Sequence, residues 1–350
     1  MHAMVLDEPG PITTAPLRWR ELPDPTPGPG EVRVKVRGCA ICRTDLHVIE
    51  GELPRHKLPL VPGHQVVGVV DQLGPGCTRL AIGERVGIAW LRHTCGRCAY
   101  CTIGRENLCP DARFTGYDAD GGYAEYATVP EAFAYRIPEA FADDQAAPLL
   151  CAGIIGYRSL ERALVPPGGR LLMVGFGSSA HVVMHIARHR GYEVYVATRG
   201  AGHRELAREL GAAWVGERPA DVPVQVDSAI LFAPAGELVP PVMEKLSPGG
   251  TLALAGIHMT DVPRLDYQKH LFHERQLRSV TCNTRADGEA LLAEAAAVPI
   301  RPRTTIYALG EVNRALQNLK ADRIAGTGVV QVEPPPALSR TGLGRSWRRR

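Results

Sequence analysis

Two rhythms of apolar residues divide the chain. Over the first 150 residues the apolar positions fall in short β-branched runs separated by Gly and Pro: EVRVKVRG, HQVVGVVDQLG, ERVGIA and YAEYATV. Runs of this length, alternating or continuously apolar and bounded by turn residues, predict many short strands. From about residue 151 the rhythm changes. RLLMVGFG reads as a strand entering a glycine turn, and HVVMHIARHRG as a helix ending at Gly191. EVYVATRG reads as a strand and HRELARELGA as a helix closed by Gly211, while VDSAILF, TLALAG and LRSVT continue the series. Strands alternating with helices of about ten residues predict a parallel sheet with crossover helices. The series stops near Pro299. Residues 300–333 then read as a strand, a helix (GEVNRALQNLKADR) and a last strand (GTGVVQV) that can finish either half.

Composition narrows the class. A chain of 350 residues, 45% apolar and 22% charged, is long enough for two domains and an ordinary globular core. The net charge of +3 is misleading, because the last seventeen residues carry five arginines and no acid. Without them the body stands near −2, which gives no nucleic-acid footprint. That tail, 334–350, is rich in Pro and Arg and lacks apolar periodicity, so it is expected to be disordered. No run of eighteen apolar residues predicts a membrane span, and MHAMVLDEPG lacks the basic-then-apolar order of a secretion signal. A cytoplasmic protein is expected. Nine cysteines there point to metal or catalysis rather than to disulfides.

CGRCAYCTIGRENLC places Cys95, Cys98, Cys101 and Cys109 within fifteen residues. The short spacings turn successive sulfurs toward one point, and the seven-residue loop returns the fourth. Four thiolates in tetrahedral geometry suit a structural zinc with no open position. An iron–sulfur cluster is the rival, but the ferredoxin run has three residues before its last cysteine rather than seven. A catalytic zinc needs three protein ligands and one open position. His64, between the Pro62-Gly63 turn and a strand in GHQVVG, is the natural nitrogen ligand. Cys42, in GCAICRTDLH, is either a ligand or a core thiol on the residues alone.

Taken in order, CRTDLH, GHQVVG, the four-cysteine lobe, PLLCAGIIGYRSL and GFGSSA resemble the zinc-containing alcohol dehydrogenases of the medium-chain dehydrogenase/reductase superfamily, over essentially residues 1–333. The resemblance implies an α/β architecture. A mainly-β GroES-like catalytic domain (1–150 and 299–333, with a zinc lobe at 90–112) would accompany a Rossmann domain (151–298). It makes Cys42, His64 and Cys151 ligands of a catalytic zinc, giving two zincs per chain. It assigns Thr44 to the substrate proton, His47 to the far end of the proton relay, Asp45 to orienting His64, and Arg43 to the cofactor pyrophosphate. Cys39 and Cys282 have no matching role and read as core thiols. It also implies hydride transfer between a primary alcohol or aldehyde and a nicotinamide cofactor, in a homodimer or homotetramer. One position departs. The family usually has Glu after the histidine, and this chain has Gln65, which removes a charge beside the metal. That departure leaves a non-catalytic relative, or a reductase of another carbonyl substrate, as the alternative.

In RLLMVGFGSSA, Gly175 permits the tight turn, Gly177 lets the backbone approach a pyrophosphate, and Ala180 lets the helix pack closely. The next strand ends in Thr198-Arg199, and no acid follows until Glu205. A carboxylate there would repel a 2′-phosphate, whereas Arg can pair with it, so NADP is expected over NAD. A solvated Arg199 is the alternative. Trp90 matches a position lining the substrate cleft, or else is a core Trp beneath the lobe. Leu53 stands where ethanol-restricted relatives carry a second Trp, so a wider pocket is expected, suited to medium-length primary alcohols or aromatic aldehydes.

Overall fold

The computed structural model describes residues 1–54, 57–256, 258–298 and 300–332; the tail at 334–350 and Pro299 lie outside the described residues. The short runs of the first half form strands β1 (Glu31–Ala40), β2 (Val66–Leu73), β3 (Arg85–Ile88), β4 (Tyr126–Pro130) and β5 (Ala134–Arg136). In β1 the side chains of Val32, Val34 and Val36 are fully buried while the intervening polar positions face outward. The alternation seen in the sequence is therefore the pleat of a half-buried strand. β2, β3 and β5 extend the sheet from β1 by antiparallel pairing, and β4 pairs with the first half of β1.

The second half forms β6 (Arg170–Val174), β7 (Glu193–Ala197), β8 (Trp214–Gly216), β9 (Val226–Leu231), β10 (Leu246–Leu254) and β11 (Gln276–Ser279). All six are parallel, in the order β8–β7–β6–β9–β10–β11. The strand order reverses at β6, which is flanked by β7 and β9. In such sheets the crevice at the carboxyl end of that strand is where a ligand binds. The last elements, β12 (Thr304–Ala308) and β13 (Thr327–Gln331), join the first sheet, with β13 antiparallel to the end of β1 through Val329↔Ala40 and Val330↔Cys39.

One core cluster runs through both halves. Val67, Ala89, Leu149 and Leu150 of the first half pack in the same buried set as Leu171, Met173 and Val183 of the second. No described helix is long and apolar enough to cross a membrane.

Candidate active site and metal centres

Cys42 follows β1 and caps helix α1 (Arg43–Glu50) in an extended conformation. Its backbone N–H donates to Asp45 Oδ2 at 2.8 Å, the reciprocal half of a capping box. The other carboxylate oxygen, Oδ1, accepts from His64 Nδ1 at 3.0 Å. Asp45 therefore ties the start of α1 to the imidazole, leaving Nε2 to face Cys42 Sγ at 3.4 Å. His64 is set by the turn before it. Gly63 has φ +96°, and a Cβ there would lie 2.7 Å from the Tyr123 ring. Cys151 arrives from far along the sequence as the N-cap of α2 (Ala152–Ala163), directly after the buried segment 147–150. The ligand atoms of Cys42, His64 and Cys151 all lie within 4.8 Å of one another.

The electrostatics favour a cation. Burial pushes the His64 imidazole down, but the charges of Asp45 and Cys42 reverse this and lift it to about 10. The hydrogen bond from Cys151 holds Cys42 well below the ordinary thiol range, and the same contact drives Cys151 well above it. The two sulfurs thus share one proton until a cation compensates the second charge. Two sulfurs and one imidazole, with a buried carboxylate behind the ring, form the donor set of a zinc site that keeps a position open. The residues present fit that metal.

Thr44 is buried beside Cys42. His47 lies one turn further along α1, half-buried, hydrogen-bonded through Nδ1 to Glu52 and with its ring centroid 5.5 Å from that of His258. Arg43 is exposed on the first turn. Gln65 is fully buried, and neither Oε1 nor Nε2 has a partner among the described residues. Trp90 presents its edge to His64 at 4.9 Å between centroids, and stacks on Phe114 at 4.9 Å and Tyr117 at 5.8 Å. Val48, Leu60 and Leu53 complete this apolar wall, and Cys282 packs half-buried against it, whereas Cys39 is wholly in the sheet core.

The four lobe sulfurs, of Cys95, Cys98, Cys101 and Cys109, also lie within 4.8 Å of one another. Backbone N–H groups aim at them: Cys95 N–H at Cys109 Sγ and Cys98 N–H at Cys95 Sγ, each 3.3 Å. The N–H groups of Arg97 and Cys98 bring the Cys95 thiol down to about 7, while burial and Cys98 push Cys101 up to about 11. The four-sulfur set fits a closed structural zinc. Two residues of the returning loop clamp the lobe to the second half. The Arg285 guanidinium and backbone N–H donate to Glu106 at 2.7 to 3.1 Å, and Asn107 Nδ2 donates to the Thr281 carbonyl at 2.9 Å. Arg285 opens α4 (Arg285–Ala297).

The glycine turn sits at the carboxyl end of β6. Gly175 has φ +86°, and a Cβ there would meet the Ala233 backbone nitrogen at 2.9 Å. Gly177 caps α3 (Ser178–His189) with open space where its Cβ would be, and Ala180 is fully buried. Backbone N–H groups at a helix start with room above them suit a pyrophosphate. Ser178 Oγ bonds Thr327 Oγ1, and Ile41 N–H donates to Gly328 O at 2.9 Å. β13 therefore touches both the helix that follows the glycine turn and the segment leading into Cys42. Thr198 is buried and its N–H is tied to Gly216 O at 2.9 Å, while Arg199 is exposed. The Arg204 guanidinium, paired with Glu217 at 2.8 Å, donates to the Arg199 carbonyl at 2.5 Å and fixes that loop.

The structure thus brings together both predicted ligand sets, with Asp45, Thr44 and Trp90 around the first. Sequence reasoning missed Tyr117, Glu52, His258 and the Glu106–Arg285 clamp. Only Glu52 had a local signal, the Gly51 that precedes it.

The alcohol dehydrogenase GroES-like domain family matches residues 28–139. A probable alcohol dehydrogenase AdhA of Mycobacterium tuberculosis is 54% identical over 337 residues, covering 95% of this chain and 97% of that protein. An alcohol dehydrogenase of Geobacillus stearothermophilus is 32% identical, covering 91% and 97%. Among solved structures, a cobalt- and zinc-bound thermostable alcohol dehydrogenase from Pyrobaculum aerophilum superposes with TM-score 0.85 at 27% identity, covering 95% of this chain and 99% of that one. A cinnamyl alcohol dehydrogenase from Sorghum bicolor gives TM-score 0.85 at 29% identity, covering 94% and 97%.

Proposed function

The chain belongs to the zinc-type alcohol dehydrogenases of the medium-chain dehydrogenase/reductase superfamily, and from that premise we propose that it interconverts medium-length primary alcohols, or aromatic ones, and their aldehydes with NADP(H) in preference to NAD(H). One zinc is held by Cys42, His64 and Cys151, and a second by Cys95, Cys98, Cys101 and Cys109. The observation that carries this reading is the convergence of two sulfurs and one imidazole within 4.8 Å, backed by the Asp45–His64 hydrogen bond.

When bound, the metal supplies a Lewis acid at the substrate oxygen and the nicotinamide supplies the hydride acceptor. The chain's own residues do the rest. Asp45 fixes the His64 tautomer, so the ring nitrogen facing Cys42 is the one free to ligate. Thr44 Oγ1 would relay the substrate hydroxyl proton, accepting it while giving up its own hydrogen toward His47. His47, a turn away and half-buried, holds the released proton at the protein surface. Trp90, stacked on Phe114 and Tyr117, narrows the cleft beside His64 and excludes water there. Gln65 leaves the ligand set intact, because all three donors come from other residues. Arg43 on the first turn of α1 and the N–H groups at Gly177 engage the pyrophosphate.

Thr198 and Arg199 support the cofactor preference: a hydroxyl and an exposed cation follow β7, with no carboxylate before Glu205. Thr198→Asp with Arg199→Gly is expected to swing selectivity toward NAD(H) by about ten- to a hundredfold, the worth of one charge-assisted contact. The test is kcat/KM with each cofactor across a series of primary alcohols, in wild type and in the double variant. Strong wild-type preference for NAD(H) would overturn the assignment. The proposal extends to a cytoplasmic homodimer or homotetramer, in keeping with nine free cysteines, and solution mass measurement checks the assembly.

A further inference from the structure

The far end of α1 carries a device that the ligand set does not require. Helix α1 ends at Gly51, whose φ of +76° reverses the chain. A Cβ there would stand 3.0 Å from that of Pro9, so the left-handed turn is reserved for glycine. Gly51 N–H returns to the Val48 carbonyl at 3.3 Å and Glu52 N–H to the His47 carbonyl at 2.9 Å, a Schellman-type end. This turn swings Glu52 back under the helix, where its Oε2 accepts from His47 Nδ1. From the second half of the molecule, in the loop after β10, the His258 ring faces His47. Among the described residues, Glu52 bonds His47 and His258 faces it. Lys320 lies on α5 (Val312–Lys320), is anchored on Glu50 at 2.7 Å, and acts on Glu52.

We propose that Glu52 is the positioning carboxylate of His47: it holds Nδ1–H, so that Nε2 keeps its lone pair turned to the cleft as the proton's final acceptor. The inference rests on the reading of His47 as the terminus of the proton path and deepens it. A carboxylate behind an imidazole fixes which ring nitrogen carries the hydrogen and which stays free to accept one. The His47 hydrogen bond in turn holds the Glu52 carboxyl below its ordinary range, so Glu52 is charged when His47 needs it.

The experiment compares His47→Gln, Glu52→Gln, Glu52→Asp and His258→Gln with wild type through the pH profile of kcat/KM for alcohol oxidation. A second readout, independent of turnover, is nitrogen NMR of the His47 ring tautomer in the protein without added metal or cofactor. Glu52→Gln is expected to lower kcat/KM at neutral pH by roughly three- to tenfold, modestly because Glu52 is partly solvated. It should also reduce the Nδ1–H tautomer. Glu52→Asp should recover most of both effects, and His258→Gln, which removes only a ring contact, should leave the tautomer as in wild type. If His47→Gln alters the profile while Glu52→Gln superposes on wild type in profile and tautomer, Glu52 is a surface acid and the proposal is wrong. If His47→Gln itself leaves the profile unchanged, the terminus is misassigned and Glu52 loses its role with it.

Discussion

The two ligand sets are built in opposite ways. The four lobe cysteines come from one fifteen-residue stretch, and their sulfurs are met by N–H groups of that same stretch. Cys42, His64 and Cys151 come from the end of a strand, a glycine turn and the start of a distant helix, and a buried carboxylate orients the one imidazole. A local, all-sulfur set closes around an ion and braces its own loop. A set assembled by the whole fold can leave one side open to substrate. On the proposed reading the local ligands serve stability and the long-range ligands serve chemistry, because only the fold can hold an incomplete coordination shell in place.

The largest separation between the two comes from removing one sulfur at each. Cys42→Ser is expected to lower kcat/KM by on the order of a thousandfold or more while moving the melting temperature by only a few degrees, since the surrounding core is intact. Cys98→Ser should do the reverse first: a loss of several kcal/mol, about 10 °C for a chain of this size, seen by calorimetry. Equal melting temperatures in the two variants would erase the distinction.

Asp45→Asn sharpens the comparison from behind the ligands. It keeps the shape but removes the buried charge and one of the two oxygens that accept from Cys42 N–H and His64 Nδ1, and it should weaken metal binding at this set by about ten- to a hundredfold in chelator competition, leaving the lobe unaffected. Unchanged affinity would mean that the carboxylate serves the helix cap alone.

The smallest effect concerns the clamp between lobe and second half. Arg285 hydrogen bonds outweigh the cost of burial and hold the Glu106 carboxyl below its ordinary value. A group depressed in the folded state stabilises above its unfolded value and loses that contribution as pH falls through the folded one. Glu106→Gln should therefore cost on the order of 1–2 kcal/mol at neutral pH, with the difference from wild type closing in acid. Urea titrations at pH 7 and pH 4 measure both; an equal difference at the two pH values would put the effect elsewhere.

Legibility followed the same division. The lobe could be read from spacing, because its geometry lies within one loop. The parallel sheet could be read from the alternation after residue 151, and the glycine turn from its place between strand and helix. Cys42, His64 and Cys151 could not be joined by spacing. Family likeness named them, and physically they meet because 147–150 is buried in a core shared by both halves, and β13 lies alongside the end of β1. Whether 300–333 completed the first sheet was open in the sequence, since a strand–helix–strand pattern does not specify its partner; the pairing of β13 with β1 is a tertiary fact. The Glu106–Arg285 clamp and the His47–His258 contact left no local trace, since each joins residues far apart in the sequence. Glu52 did leave one, in the glycine that ends α1.

The central claim is that this fold holds two separable metal centres. Its most direct test is the zinc content per chain, by elemental analysis of purified wild type, Cys42→Ser and Cys98→Ser, each also assayed for turnover. The account predicts two zincs in wild type. It predicts one in Cys42→Ser with turnover lost, and the active-site zinc retained in whatever fraction of Cys98→Ser remains folded. A wild-type content of one, or a Cys42→Ser variant that keeps both zincs and its turnover, would contradict it.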